Sequence, residues 1–99
     1  MKILVLPRRR AGVPLEAFQP HVIAEIQAVW DLYAQGICRE FYARADQPGP
    51  VVLTLECASI EAAKAALASL PMMELGLLDL DLIPLAPFAH LSQLFQAAN

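Results

Sequence analysis

Residues 39–57, "REFYARADQPGPVVLTLEC", decide the fold. Two runs rich in aromatic and β-branched residues flank "ADQPGP" (45–50), whose prolines and glycine enforce a turn, so the segment reads as a β-hairpin. Strand alternation would place Glu40, Tyr42, Arg44, Thr54 and Glu56 on one face. Ile37, Phe41, Val51, Leu53 and Leu55 then take the other, with Arg39 near its edge. Counted across the turn, Arg44 opposes Val52, Tyr42 opposes Thr54 and Glu40 opposes Glu56. Two opposed glutamates repel unless a cation or a proton sits between them, so an arginine is expected close by.

Working outward, "KILVL" (2–6) is an apolar run ended by Pro7 and suits a strand buried on both faces, followed by a loop through Arg8, Arg9 and Arg10. From Leu15 to Gln35 the period lengthens. Phe18, Val22, Ile26, Val29, Trp30 and Tyr33 recur at three- and four-residue steps, which predicts an amphipathic helix restarted or kinked at Pro20 and closed by Gly36. Beyond the hairpin, Ser59 is a good N-cap for a helix over 60–70, and Pro71 stops it. "LGLLDLDLIPL" (75–85) alternates leucine with Asp79 and Asp81 and predicts a half-polar strand. The order strand–helix–strand–strand–helix–strand is an α+β, ferredoxin-like βαββαβ protomer, with an antiparallel sheet in the order 4-1-3-2.

Two helices cover one face of four strands. The chain is 58% hydrophobic with a mean hydropathy of +0.49, too apolar for the second face to be left wet, so a homodimer packed sheet against sheet is expected. Residues 1–86 form the single domain, and the uncharged tail 87–99, with Phe88, Leu91, Leu94 and Phe95 at helical spacing, is expected to pack on the partner or over the barrel mouth. A net charge of −3 and a lone basic run without interleaved aromatics speak against nucleic acid. Apolar stretches are too short to span a membrane, and Pro7 and the arginines interrupt the first one too early for a secretory signal; a cytoplasmic protein is the expectation. Cys38 and Cys57 lack metal or disulfide spacing, and His21 and His90 have no partners at ligand spacing. No metal and no cofactor is expected.

Three passages carry a family likeness: "WDLYAQGICREFY" (30–42), "RADQPGPVVLTLEC" (44–57) and "SIEAAKAALASLPMMELGLLDLDLIPLAPF" (59–88). Over about residues 25–88 the chain resembles the dimeric α+β barrel superfamily, and within it the muconolactone-isomerase-like group. The resemblance implies a sheet-to-sheet dimer, in some members a ring of dimers, and a pocket for small anionic or aromatic-derived metabolites. Arg39, Tyr42 and Arg44 stand at places similar to that group's arginine and aromatic positions. Glu25 falls where its first helix carries an acidic residue, and Glu40 replaces a histidine.

On this reading the chain is a cofactor-free, isomerase-like enzyme acting on a carboxylate- or lactone-bearing metabolite. Glu25 carries the proton, Tyr42 meets a substrate oxygen, and Arg39 and Arg44 grip an anion. Glu40, Thr54 and Glu56 line the pocket with Trp30, although Trp30 and Tyr33 also suit a core stripe. The alternatives are a cofactor-independent oxygenase, with Trp30 and Tyr42 shaping an aromatic pocket, and a non-catalytic dimeric binding or assembly module in which the polar cluster only sets the dimer register.

Overall fold

The computed structural model describes residues 1–96. Strands β1 (Lys2–Arg9), β2 (Cys38–Tyr42), β3 (Val52–Glu56) and β4 (Leu78–Leu85) form one antiparallel sheet in the order β2-β3-β1-β4. Helices α1 (Val22–Ala34), α2 (Ile60–Leu67) and the single turn α3 (Pro71–Glu74) lie on one side of it. This is the α+β, ferredoxin-like arrangement expected from the element order. The tail is described as far as Gln96, and includes a short 3-10 helix, Ala89–Phe95; its last three residues lie outside the described residues.

Local chemistry explains most boundaries. Ser59 caps α2, its Oγ accepting the Ala62 N–H at 3.1 Å. Gly36 closes α1 with φ +79°, a backbone conformation open to glycine at no steric cost. Pro20 sits in one of two 3-10 turns (Leu15–Ala17 and Gln19–His21) that lead into α1, so the helix proper begins two residues later. α2 ends at Leu67, short of the expected Leu70, and Pro71 opens α3 as its first residue rather than stopping α2.

β1 is longer than its apolar run suggested. It continues through Pro7 to Arg9, pairing with β4 along its whole length, whereas β3 pairs only with Lys2–Val5. Beyond Val5 one side of β1 has no strand beside it, and there a residue without an N–H is tolerated. The expected loop through the arginines is therefore largely strand. Arg8 bonds Asp81, and Arg10 Nε donates to Asp79 at 3.2 Å, so the Leu–Asp alternation of β4 answers the basic run of β1.

The core is a layer between sheet and helices. Ile3, Val5, Cys38, Leu53, Leu55 and Leu78 project from the sheet to meet Leu32, Ala63, Leu67 and Leu70, all buried. α1 turns a different stripe inward from the one its periodicity suggested. Leu32 is buried and Ala28 and Val29 pack beside it, while Ile26, Trp30 and Tyr33 face outward with Ile23. The reason lies in composition: between Val22 and Ala34 only Glu25, Gln27 and Asp31 are polar, so both 25/28/29/32 and 23/26/30/33 obey helical spacing.

A pair of truncations separates the two stripes. In dilute solution Leu32→Ala should cost about 2–5 kcal/mol, as for other buried leucines, whereas Ile23→Ala should stay within about 0.5 kcal/mol. Urea denaturation measures both; equal losses would mean that α1 is rotated from the orientation described.

Candidate functional site

The β2–β3 hairpin fixes the polar cluster. Tyr42 pairs with Val52, Phe41 with Leu53 and Glu40 with Thr54; the register then shifts so that Cys38 pairs with Leu55, leaving Arg39 as an extra residue in a bulge. Relative to the register counted from the turn, the strands are offset by two residues. An even offset keeps the side chains from Glu40 onward on their face, so Glu40, Tyr42 and Thr54 still share the side away from the helices, while the bulge carries Cys38 into the core beside Leu55. Glu40 now lies opposite Thr54, and the anticipated Glu40–Glu56 opposition does not occur.

Glu40 is the hub. Its Oε1 accepts the Thr54 hydroxyl at 3.1 Å and lies 3.8 Å from the Lys2 ammonium, while Oε2 accepts the Tyr42 phenol at 3.0 Å. The Tyr42 hydrogen bond, then the Thr54 bond, then Lys2, hold the Glu40 carboxyl below the usual carboxylate range. The same bond to Glu40 pushes the Tyr42 phenol above its ordinary value. At neutral pH the pair is therefore a fixed carboxylate holding a fixed phenolic proton, which leaves the phenolic oxygen as an oriented acceptor for a ligand hydroxyl. Glu56 belongs to the same face, opposite Lys2, and its carboxyl is lowered chiefly by the hydrogen bond from the Met1 amino group. Beside it a hollow of about 390 Å³ is lined by Met1, Lys2, Glu56, Leu85, Ala86 and Pro87.

Other anticipated site residues lie apart. Arg44 pairs with Asp46 at the hairpin turn, a bond that lowers the Asp46 carboxyl. Arg39 donates from Nε to the Gly36 carbonyl at 2.8 Å and pins the α1–β2 turn. Trp30 stacks on Tyr33, and Tyr33 meets Phe41 edge-on, on the helix side of the sheet. Glu25 lies on that side too, on the inward stripe of α1, where its Oε1 accepts the Met72 N–H at 2.9 Å and so satisfies a free donor at the start of α3. Burial raises the Glu25 carboxyl above its ordinary value, the Met72 bond opposing the shift. The sheet thus separates Glu25 and Trp30 from Tyr42, Glu40 and Thr54. Lys2 completes the cluster and went unnoticed inside "KILVL"; alternation from Glu56 through its partner strand would have found it.

Among the described residues no group of three or more His, Cys, Asp and Glu side chains is placed to hold a metal, and no helix is long and apolar enough to cross a membrane. The fold matches that of 5-chloro-2-hydroxyhydroquinone dehydrochlorinase from Burkholderia phenoliruptrix, solved in complex with 2,5-dihydroxybenzoquinone. The TM-score is 0.71 over 91% of this chain and 98% of that one, at 15% sequence identity. The likeness is one of fold. No family model matches the sequence, and no curated protein sequence matches it.

Two substitutions at Glu25 distinguish its roles. Glu25→Ala removes the acceptor for Met72 and should cost about 1 kcal/mol, which lowers the Tm of a domain this size by roughly 4–8 °C. Glu25→Gln keeps an acceptor and sheds the buried charge, so at neutral pH its melting temperature should equal or exceed that of the parent.

Glu40 has the opposite linkage. Its stabilisation is present above the ordinary carboxylate range and is lost as pH falls through its lowered folded value. Glu40→Gln should therefore show a smaller drop in melting temperature than the parent between about pH 6 and about pH 3. Equal drops would mean that the cluster does not hold the charge.

Proposed function

We propose that the protein is a small-molecule-binding homodimer, closed through the sheet faces that its helices leave open, with the Glu40–Tyr42–Thr54–Lys2 cluster turned toward the enclosed space. The ligand class is a small, oxygen-rich metabolite bearing a carboxylate or lactone. One observation carries the reading: an interlocked set of polar groups is built into a sheet face whose other side chains include Leu4, Leu6, Ile83 and Leu85. An apolar face of this size, uncovered by any helix, calls for a partner. Fixed hydrogen-bonding groups within an apolar surround are what orient a small ligand. The dehydrochlorinase that shares the fold was solved with a dihydroxyquinone, a ligand of comparable size and polarity, which supports the class without supplying the reaction.

On this reading Lys2 attracts the anionic end of the ligand, and Arg39, whose charge is felt at Glu56, reinforces it. Glu40 holds the protons of both hydroxyls, so Tyr42 and Thr54 turn their oxygens to the ligand as acceptors for its hydroxyl groups. Arg44, paired with Asp46 at the hairpin turn, stays outside the cluster. A second reading, cofactor-free isomerase-like chemistry, is favoured by Glu25: burial moves its carboxyl toward the range in which a group both takes and returns a proton. Because Glu25 lies across the sheet from the polar cluster, proton transfer on this reading takes place apart from the Glu40 face.

Light scattering should give about twice the protomer mass of 10.8 kDa at micromolar concentration. Calorimetric titration with 2,5-dihydroxybenzoquinone and with simple lactone carboxylates tests the site. Tyr42→Phe and Thr54→Val should each weaken binding about 3- to 10-fold, the worth of one hydrogen bond, with the dimer intact. Unchanged affinity in both variants would remove the ligand from this face. Turnover lost in Glu25→Gln but kept in Tyr42→Phe would establish the second reading.

A further inference from the structure

The described tail has little to hold on its own chain. Phe88, Leu91, Leu94 and Phe95 are all largely exposed, Phe95 at 81%, and the 3-10 helix that follows Phe88 makes at most marginal contact with the other elements. The molecule is accordingly drawn out to 62 × 29 × 20 Å, with a radius of gyration of 16.6 Å against about 13 Å for a closed domain of this length. A second apolar surface is equally uncovered. On the outer side of α1, Ile23, Ile26, Trp30 and Tyr33 form an exposed stripe, which Phe41 of β2 extends by its edge contact with Tyr33.

We propose that residues 86–96 of one protomer form an arm that seats on this outer stripe of α1 in a second copy. The proposal rests on the sheet-face dimer. The two surfaces match in chemistry. No charged residue occurs from Leu82 to the end of the chain, and none of the five stripe residues is charged. In a 3-10 helix side chains three apart eclipse, so Leu91 and Leu94 stand in one row, with Phe88 at the N-cap before it.

Topology supplies the route. With the strand order β2-β3-β1-β4, a two-fold axis parallel to the strands lays the β4 edge of one protomer over the β2 edge of the other and preserves strand ends. Leu85, where the tail departs, lies opposite Lys2; Lys2 lies opposite Glu56, and the Glu56 N–H bonds the Ile37 carbonyl at the entry to β2. The tail therefore leaves at the end of the partner where α1 finishes and β2 begins. Three connecting residues add about 10 Å to the length of the 3-10 helix. The total, about 24 Å, passes the partner's sheet, about 10 Å away, and reaches its helix layer.

Trp30 is the chain's only tryptophan and lies in the middle of the stripe, so its fluorescence reads occupancy directly. The test compares the parent chain with the double variant Leu94→Glu, Phe95→Glu, whose changes fall on exposed positions outside the folded core. The expected result is a red shift of Trp30 emission, an acrylamide quenching constant at least about twofold higher, and a dimer dissociation constant raised at least about tenfold. A mixture of full-length Trp30→Phe chain with the double variant should restore shielded emission, because the arm then comes from the other copy. A dimer whose Trp30 emission is identical in parent and variant overturns the arm and leaves the sheet dimer standing. A parent that is monomeric by light scattering overturns the sheet dimer, and with it an arm supplied by a second copy.

Discussion

Everything in this molecule follows from helices that lie on one side of a four-stranded sheet only. The two inner strands, β1 and β3, feel this constraint most directly, and β1 shows it over its length. Its alternation divides the protein in two: Ile3 and Val5 enter the core, and Lys2, Leu4, Leu6 and Arg8 face away from it. Partner strands continue the division, so that Thr54 and Ile83 flank Leu4 while Leu55 flanks Ile3. The open face acquires an apolar middle bounded by the Lys2–Glu40 cluster at one end and the Arg8–Asp81 pair toward the other. Such an ordering favours a partner that covers the middle and leaves the charged ends near solvent, where their pairing costs little desolvation.

The element order was plain in the sequence because it depends on period and punctuation, and both are local. Ser59, Gly36 and the "ADQPGP" turn each mark a boundary through their own chemistry. What escaped was rotation and register, which depend on packing between elements. α1 offers two apolar stripes, and only the position of the sheet decides that Leu32 goes inward and Trp30 outward. The bulge at Arg39 and the two-residue offset in the hairpin arise from the same limit: a six-residue turn does not fix where pairing starts. Pro7 misled in another way. Its effect on a strand depends on whether a neighbour needs its missing N–H, and β3 has already stopped there.

For the site, alternation alone brought Glu40, Tyr42 and Thr54 together, since residues on one face of a hairpin stay on it under any even slip. Glu25 illustrates the opposite case. An acidic residue on an apolar helix suggests chemistry, yet its position at 25 in the sequence 25, 28, 29, 32 puts it on the buried stripe, where a backbone donor of α3 uses it. Fold-level likeness does not resolve such questions, because the shared architecture fixes where strands and helices lie and leaves side-chain roles to each sequence.

Cys38 has a use beyond packing. Its thiol is fully buried at the first position of β2, with Sγ on the Glu40 carbonyl at 3.4 Å, and burial raises its ionisation above the ordinary thiol value. A thiolate is the reactive species, so this sulfur is protected twice, by access and by protonation. Alkylation at Cys38 consequently proceeds only through excursions in which β2 parts from the helix layer, while half-buried Cys57, at the same open end of the hairpin, reacts without them. The chain thus carries its own clock for the opening of its edge strand, with a reference thiol beside it.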